Sequence, residues 1–235
     1  MKKWIWIAIG SAVLVAGGVT FAVVLVNTNN VKASSFEIEG TWQFFEQGNL
    51  EQGREFMVFK DGKAQDYIDG KMVRESAYSV TNINATFTAA NVTFKDWDSG
   101  YALTRKSVTK DIFGLFGDNN EAFYFVRVKD DEHLNASSYS VTDFQNKEFK
   151  VLIHATAIKE QEEFVRFTDS TITFIRGDAT VVDHAAFKVE NSVITAPGFK
   201  FYICAIQEQS YRLCEIAEDA LTGERAFWPW EWRLL

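Results

Sequence analysis

The sequence predicts an all-β protein, an antiparallel barrel or sandwich built twice in tandem behind an N-terminal transmembrane helix. Three observations predict it. Apolar and polar residues alternate along most of the chain, and turn signals recur about every 8–12 residues, as in sandwiches and barrels. The 235 residues include 21 Phe and only 2 Pro, and aromatic and β-branched side chains favour a pleated, half-buried surface. The phrase EFMVFKDG, which begins at Glu55, returns as EFVRFTDS at Glu163.

The first element is the apolar one. Residues 4–26 carry no charge and follow Lys2 and Lys3. A bilayer core takes about 20 apolar residues as helix, so the run is long enough to span. The lysines would stay cytoplasmic, which sends everything after about residue 27 to the extracytoplasmic side. A cleaved signal peptide is the competing reading, because Val31-Lys32-Ala33 before Ser34 resembles a small-residue cleavage site. The run is longer than the roughly 7–15 apolar residues usual in a signal peptide, which favours a retained single-pass anchor in the cell membrane. Cleavage after Ala33 would instead give a secreted chain. No Cys follows the run closely enough to serve as a lipoprotein anchor.

The strands come next. Met57-Val58-Phe59 runs into Lys60-Asp61-Gly62, a strand and a tight turn, and Tyr67-Ile68 ends at a second Asp-Gly. Residues 76–80, 86–94 and 101–108 alternate or nearly so. In the second half KVLIHATAI, EFVRF, TITFI, TVVDHAAFKV, SVITA, KFYICAI and YRLCEI do the same. Phe56, Phe59 and Asp61 match Phe164, Phe167 and Asp169 at one constant offset, and Tyr78, Val80 and Asn82 match Phe187, Val189 and Asn191 after one inserted residue. EAFYFVRV and ERAFWPWEWRLL close the two halves. The organisation expected is therefore 1–35 as anchor and linker, 36–128 as a first β domain, 129–147 as a polar linker and 148–235 as a second β domain. One larger barrel formed from both halves is the alternative. The best helix candidates are short, at 108–116 and 218–225.

Gly40-Thr41-Trp42 opens the first strand of the first half, ahead of an Asp-Gly turn and repeated short strands. This pattern resembles the lipocalin-like (calycin) β-barrel proteins, here of a membrane-anchored bacterial type with a tandem repeat. The resemblance implies that Trp42 closes one barrel end and that an Arg near the last strand packs across it. Arg127 in FYFVRV stands at that place in chain order. A guanidinium on an indole face would satisfy nearby carbonyls with its donors. The second half has no Gly-x-Trp.

Chemistry-bearing patterns are few. The formal net charge of −8 argues against a nucleic-acid partner, which needs clustered Lys and Arg. Nucleophile-elbow, phosphate-loop and zinc-helix motifs are missing from the sequence, so no enzyme activity, metal or cofactor is expected. His133, His154 and His184 are scattered and read as structural. Cys204 and Cys214 flank a hairpin turn and could form a disulfide in an oxidising compartment. Trp228, Trp230 and Trp232 share one face of an extended strand, as a core strand or as an aromatic platform. Ile112, Phe113, Leu115 and Phe116 lie in an apparent insertion of the first half and could cap a barrel mouth or enter lipid. Trp42, Phe113, Phe116 and the three C-terminal tryptophans are thus the candidate ligand contacts. Two functions follow: an exported, membrane-anchored binding module for a small apolar ligand or lipid, or a ligand-free envelope protein that binds another protein. The interior discriminates them. Inward Phe87, Phe94 and Phe187 would fill the barrels, whereas inward Ala89 and Ala185 or Ala186 would leave room.

Overall fold

The computed structural model describes residues 37–48, 54–81, 83, 89–96, 100–105, 110–117, 121–154, 157–158, 162–218 and 224–235. The apolar run at 4–26 lies outside them. Strands β1 (Gly40–Glu46), β2 (Glu55–Lys60), β3 (Lys63–Ile68), β4 (Lys71–Thr81), β5 (Ala89–Phe94), β6 (Gly100–Arg105), β7 (Ile112–Phe116) and β8 (Ala122–Arg127) form a closed antiparallel barrel. Each strand pairs with the next in sequence, and β8 returns to β1 with Trp42 opposite Arg127. This closed meander is consistent with the lipocalin-like barrel that the resemblance implies. Asp-Gly turns set the register. Asp61 and Gly62 have φ of 51° and 74°, the two left-handed residues that a tight hairpin of native twist requires.

The second half contains β9 (Glu148–His154), β10 (Ala157–Ile158), β11 (Glu163–Phe167), β12 (Thr171–Arg176), β13 (Val181–Ala186), β14 (Lys188–Glu190), β15 (Val193–Ala196), β16 (Phe199–Gln207), β17 (Ser210–Glu218) and β18 (Arg225–Leu234). Their path runs β13-β12-β11-β9-β18-β17-β16-β15-β14, with the short β10 paired to β9. Only Phe187 separates β13 from β14, so the two ends of the path meet and the sheet is barrel-like. The same division exists within β4, whose first part pairs with β3 and whose last part pairs with β5. Reading β13 and β14 as one interrupted strand, the order of the second sheet reproduces that of the first. Met57 lies opposite Trp42 and Asp66, and Val165 lies opposite Phe149 and Phe174.

One element differs from the sequence expectation. The short helix proposed at 108–116 is strand β7, and the segment is a barrel stave rather than an inserted loop. Ile112, Phe113, Gly114 and Leu115 are all buried. A strand covered on both faces loses the alternation that would have marked it and reads as a continuous apolar run. The other candidate, 218–225, falls largely outside the described residues. Among the described residues the only helical piece is a 3-10 turn at Val141–Asp143, and no helix is long and apolar enough to cross a membrane.

The two sheets share a third apolar cluster. Phe45, Phe56, Val126 and Val128 from the outside of the first barrel meet Cys204, Cys214, Ile216 and Phe227 from the second sheet. Each buried Phe contributes roughly 1.5–3 kcal/mol relative to exposure. Gln47 reinforces the contact by mimicking a strand: its Nε2 donates to the Phe227 carbonyl at 2.6 Å, and its Oε1 accepts the Phe227 N–H at 3.0 Å. Glu132, only 2% exposed, holds the connecting segment by accepting from Ser137 and pairing with Arg54 at 3.2 Å.

Candidate functional site

The lower end of the first barrel is built around Trp42, which is fully buried. Its Nε1 donates to the Ile38 carbonyl at 2.8 Å, and its ring meets Phe113 edge-on at 4.6 Å. The Arg127 guanidinium lies 4.1 Å from the indole centroid. Arg127 Nη1 donates to the Glu39 carbonyl at 2.7 Å, Nη2 to the Glu37 carbonyl at 2.9 Å, and Nε pairs with Asp111 at 3.0 Å. Burial pulls this guanidinium below its usual pKa, and the field of Asp111 opposes that pull. Gly40 is part of the same device. Its φ is +127°, and a Cβ there would sit 2.4 Å from Arg127 Nη1. The Gly-x-Trp spacing thus has a steric origin: the chain must pass beneath the guanidinium. The arrangement is a lock on the barrel end, and Trp42 has no face left for a ligand.

The second sheet closes its equivalent end differently. Phe149 and Leu234 are cross-strand partners at the places of Trp42 and Arg127. Phe144, fully buried just after the 3-10 turn, plugs the end against Phe167 at 5.3 Å and Tyr211 at 5.5 Å. Lys147, two residues ahead of Phe149, supplies a cation 5.6 Å from the Tyr211 ring.

Side chains fill both interiors. Phe59, Val92, Phe94, Leu103, Leu115 and Phe125 occupy the first, and Phe167, Ile172, Phe187, Phe201, Leu213 and Trp232 the second. Phe113 and Phe125 stack at 4.5 Å in the first core. Of the residues that discriminate a full interior from an open one, Phe94 and Phe187 point inward, and Phe87 lies outside the described residues. Ala90 rather than Ala89 faces the first core, Ala185 packs at the edge of the second, and Ala186 is exposed.

The remaining candidate contacts are dispersed. Phe116 is half-buried beside Tyr124 at 6.0 Å, separate from Phe113 in the core. Trp232 is fully buried and Trp230 nearly so, with its Nε1 donating to Glu215 at 2.9 Å. Trp228 is half-exposed and lies 5.9 Å from the Tyr124 ring of the first barrel. The three do not form one exposed platform.

Cys204 and Cys214 are free thiols, and the expected pairing is not formed. The turn is closed by Gln207 opposite Ser210, and a bulge at Cys204 shifts the register so that Cys214 faces Tyr202. Burial pushes both thiols far above the usual range, which keeps them protonated and inert. Among the described residues no cluster of His, Cys, Asp or Glu could hold a metal ion. His184 Nδ1 shares a hydrogen bond with Thr173 at 2.8 Å, and the His133 ring packs on Tyr67 at 4.4 Å. The His154 side chain is outside the described set.

Sequence reasoning missed two polar groups. At the junction Asp111 lies between Arg127 and Arg212, the latter 1% exposed and 3.5 Å from its carboxylate. Asp111 and Arg212 border an open cleft of about 600 Å³ that Lys129, Gln207 and Ser210 also line. At the upper rim of the first barrel, Glu46, Glu55, Asp66 and Arg74 face inward. Period-two alternation from Trp42, Met57 and Ala64 would have placed the first three on the core face once the register was known. No family model matches the chain, and comparison with curated proteins gives no match either.

Proposed function

We propose that the protein is an exported, membrane-anchored envelope protein of bacterial type. Its two lipocalin-like units arose by duplication, and they act on another protein through their outer surfaces rather than by enclosing cargo. The observation that carries this reading is the filling of both interiors by aromatic and aliphatic side chains. Small barrels whose inward positions are packed leave no volume for a drug-sized ligand, which needs roughly 300 Å³ or more. The apolar run at 4–26 supports the anchor. The shared strand order, with matched Phe at β2 and β11, supports the duplication. The reading assigns no catalysis and no nucleic-acid partner.

The apolar-ligand reading has one observation in its favour. Phe174 and Phe199, 4.7 Å apart, are only partly buried at the upper end of the second sheet. They offer a shallow apolar contact, not an enclosed one.

Photo-crosslinking in intact membranes tests the proposal. Val73 and Leu134 are 55% and 59% exposed and suit replacement by a photoreactive residue. A discrete protein adduct of reproducible mass is expected from at least one position. Adducts to lipid alone, or none from a panel extended over both outer surfaces, would overturn it.

A further inference from the structure

The upper rim of the first barrel holds a buried carboxylate with one idle oxygen. Asp66 is 8% exposed. Its Oδ2 takes a hydrogen bond from Arg74 Nη2 at 3.2 Å, but its Oδ1 has no hydrogen-bond partner. Leaving such an acceptor dry is costly, and an unmet buried group in a folded protein calls for a water, an ion or a ligand. Asp66 alternates with core-facing Ala64, so its side chain points into the barrel. Glu55 precedes core-facing Met57 by two residues, and Glu46 follows Phe44 by two, so both share that interior face. Burial above all, and then the fields of Asp66, Glu46 and Asp69, raise the pKa of Glu55. Across the rim Tyr101 donates its hydroxyl to Glu121 at 2.9 Å. Arg74 pairs with Asp66 in this group at 3.2 Å, and Lys71, opposite Ile68, stands on the same face at the rim's outer edge.

Aromatic rings complete the rim. Phe123 lies 6.5 Å from Phe44 and 5.8 Å from Tyr101, with both contacts edge-on. In the second sheet Phe174 stands at the place of Asp66, whereas Glu163 keeps the place of Glu55.

We propose that this rim binds the ammonium group of an organic amine. An N–H donor meets Asp66 Oδ1, the surrounding carboxylates neutralise the charge, and the methylene stem lies against Phe44 and Phe123. An anion is repelled, and an apolar molecule leaves Oδ1 unmet. The inference stands apart from the surface-acting reading and needs no open interior.

Titration calorimetry on the full chain in detergent micelles tests it, with n-butylammonium chloride as probe and sodium chloride holding ionic strength constant. Saturable one-to-one binding of butylammonium is expected, with none for butyrate or n-butanol. Asp66→Asn should weaken it about tenfold or more, the worth of one charged hydrogen bond. Glu55→Gln, at the more open part of the rim, should weaken it by about threefold to tenfold, and it keeps the test intact if Asp66→Asn fails to fold. Absence of saturable binding, equal binding of butyrate, or undiminished binding in both variants would overturn the proposal and leave Asp66 a hydrated carboxylate.

Discussion

Replacing Arg127 by Ala removes the lock on the first barrel, and the cost can be worked from its contacts. Two hydrogen bonds reach the Glu37 and Glu39 carbonyls at 2.9 and 2.7 Å. Both carbonyls are exposed enough to rehydrate, so each bond contributes about 1 kcal/mol net. The guanidinium at 4.1 Å from the Trp42 centroid adds roughly 0.5–2 kcal/mol. The pair with Asp111 adds at most about 1 kcal/mol, because Asp111 is 35% exposed and keeps Arg212 as a neighbour. The expected loss is about 3 kcal/mol. Urea unfolding of the full chain in micelles, followed by tryptophan fluorescence, should show a midpoint lowered by about 1 M or more. A double-mutant cycle with Trp42→Leu should give a coupling near 1 kcal/mol, roughly the cation–π share. A loss well under about 1 kcal/mol, or strict additivity with Trp42, would refute the assignment of the lock.

Three further outcomes follow from the same contacts. Gly40→Ala should cost about 2 kcal/mol or more in the same urea assay, since it strains a φ of +127° and displaces Arg127; a neutral result would deny the steric origin of the Gly-x-Trp spacing. Cys204 and Cys214 should resist thiol reagents in the native chain and react along the unfolding curve, whereas prompt native labelling would contradict their burial. Tyr78, Tyr101 and Tyr124 are pushed up to about 12, chiefly by burial. Their phenols ionise near pH 10 in the unfolded chain. The stability they contribute is therefore present below pH ~10 and lost as pH rises through about 12. Absorbance titration should show three late tyrosines, and a single transition near pH 10 would refute this.

How much of this could be read beforehand depended on whether one face of a strand met water. The strand at 76–80 declares itself by alternation, because its outer face is wet. Strand β7 hid itself, because Ile112, opposite Val126, is buried on the outer face while Phe113 and Leu115 turn inward. The Trp42–Arg127 pair was legible only through the resemblance that Gly40-Thr41-Trp42 carries, with Arg127 standing at the implied place in chain order. The cysteine pairing was not, because a bulge at Cys204 changes which residues oppose each other and leaves no mark in composition. The rim carboxylates were overlooked for a related reason. Glu55 and Asp66 look like ordinary surface residues until the register puts them on the core face. The second sheet has no Gly-x-Trp spacing, and Phe144 closes its end from outside the first strand.

Native mass spectrometry of the full chain, extracted gently from membranes, tests the central claim most directly. Filled interiors predict a folded chain that carries no apolar cargo, so the native mass should equal the mass after denaturation. A reproducible added mass in the lipid range, lost on denaturation and retained when Phe174 and Phe199 are replaced by polar residues, would contradict it.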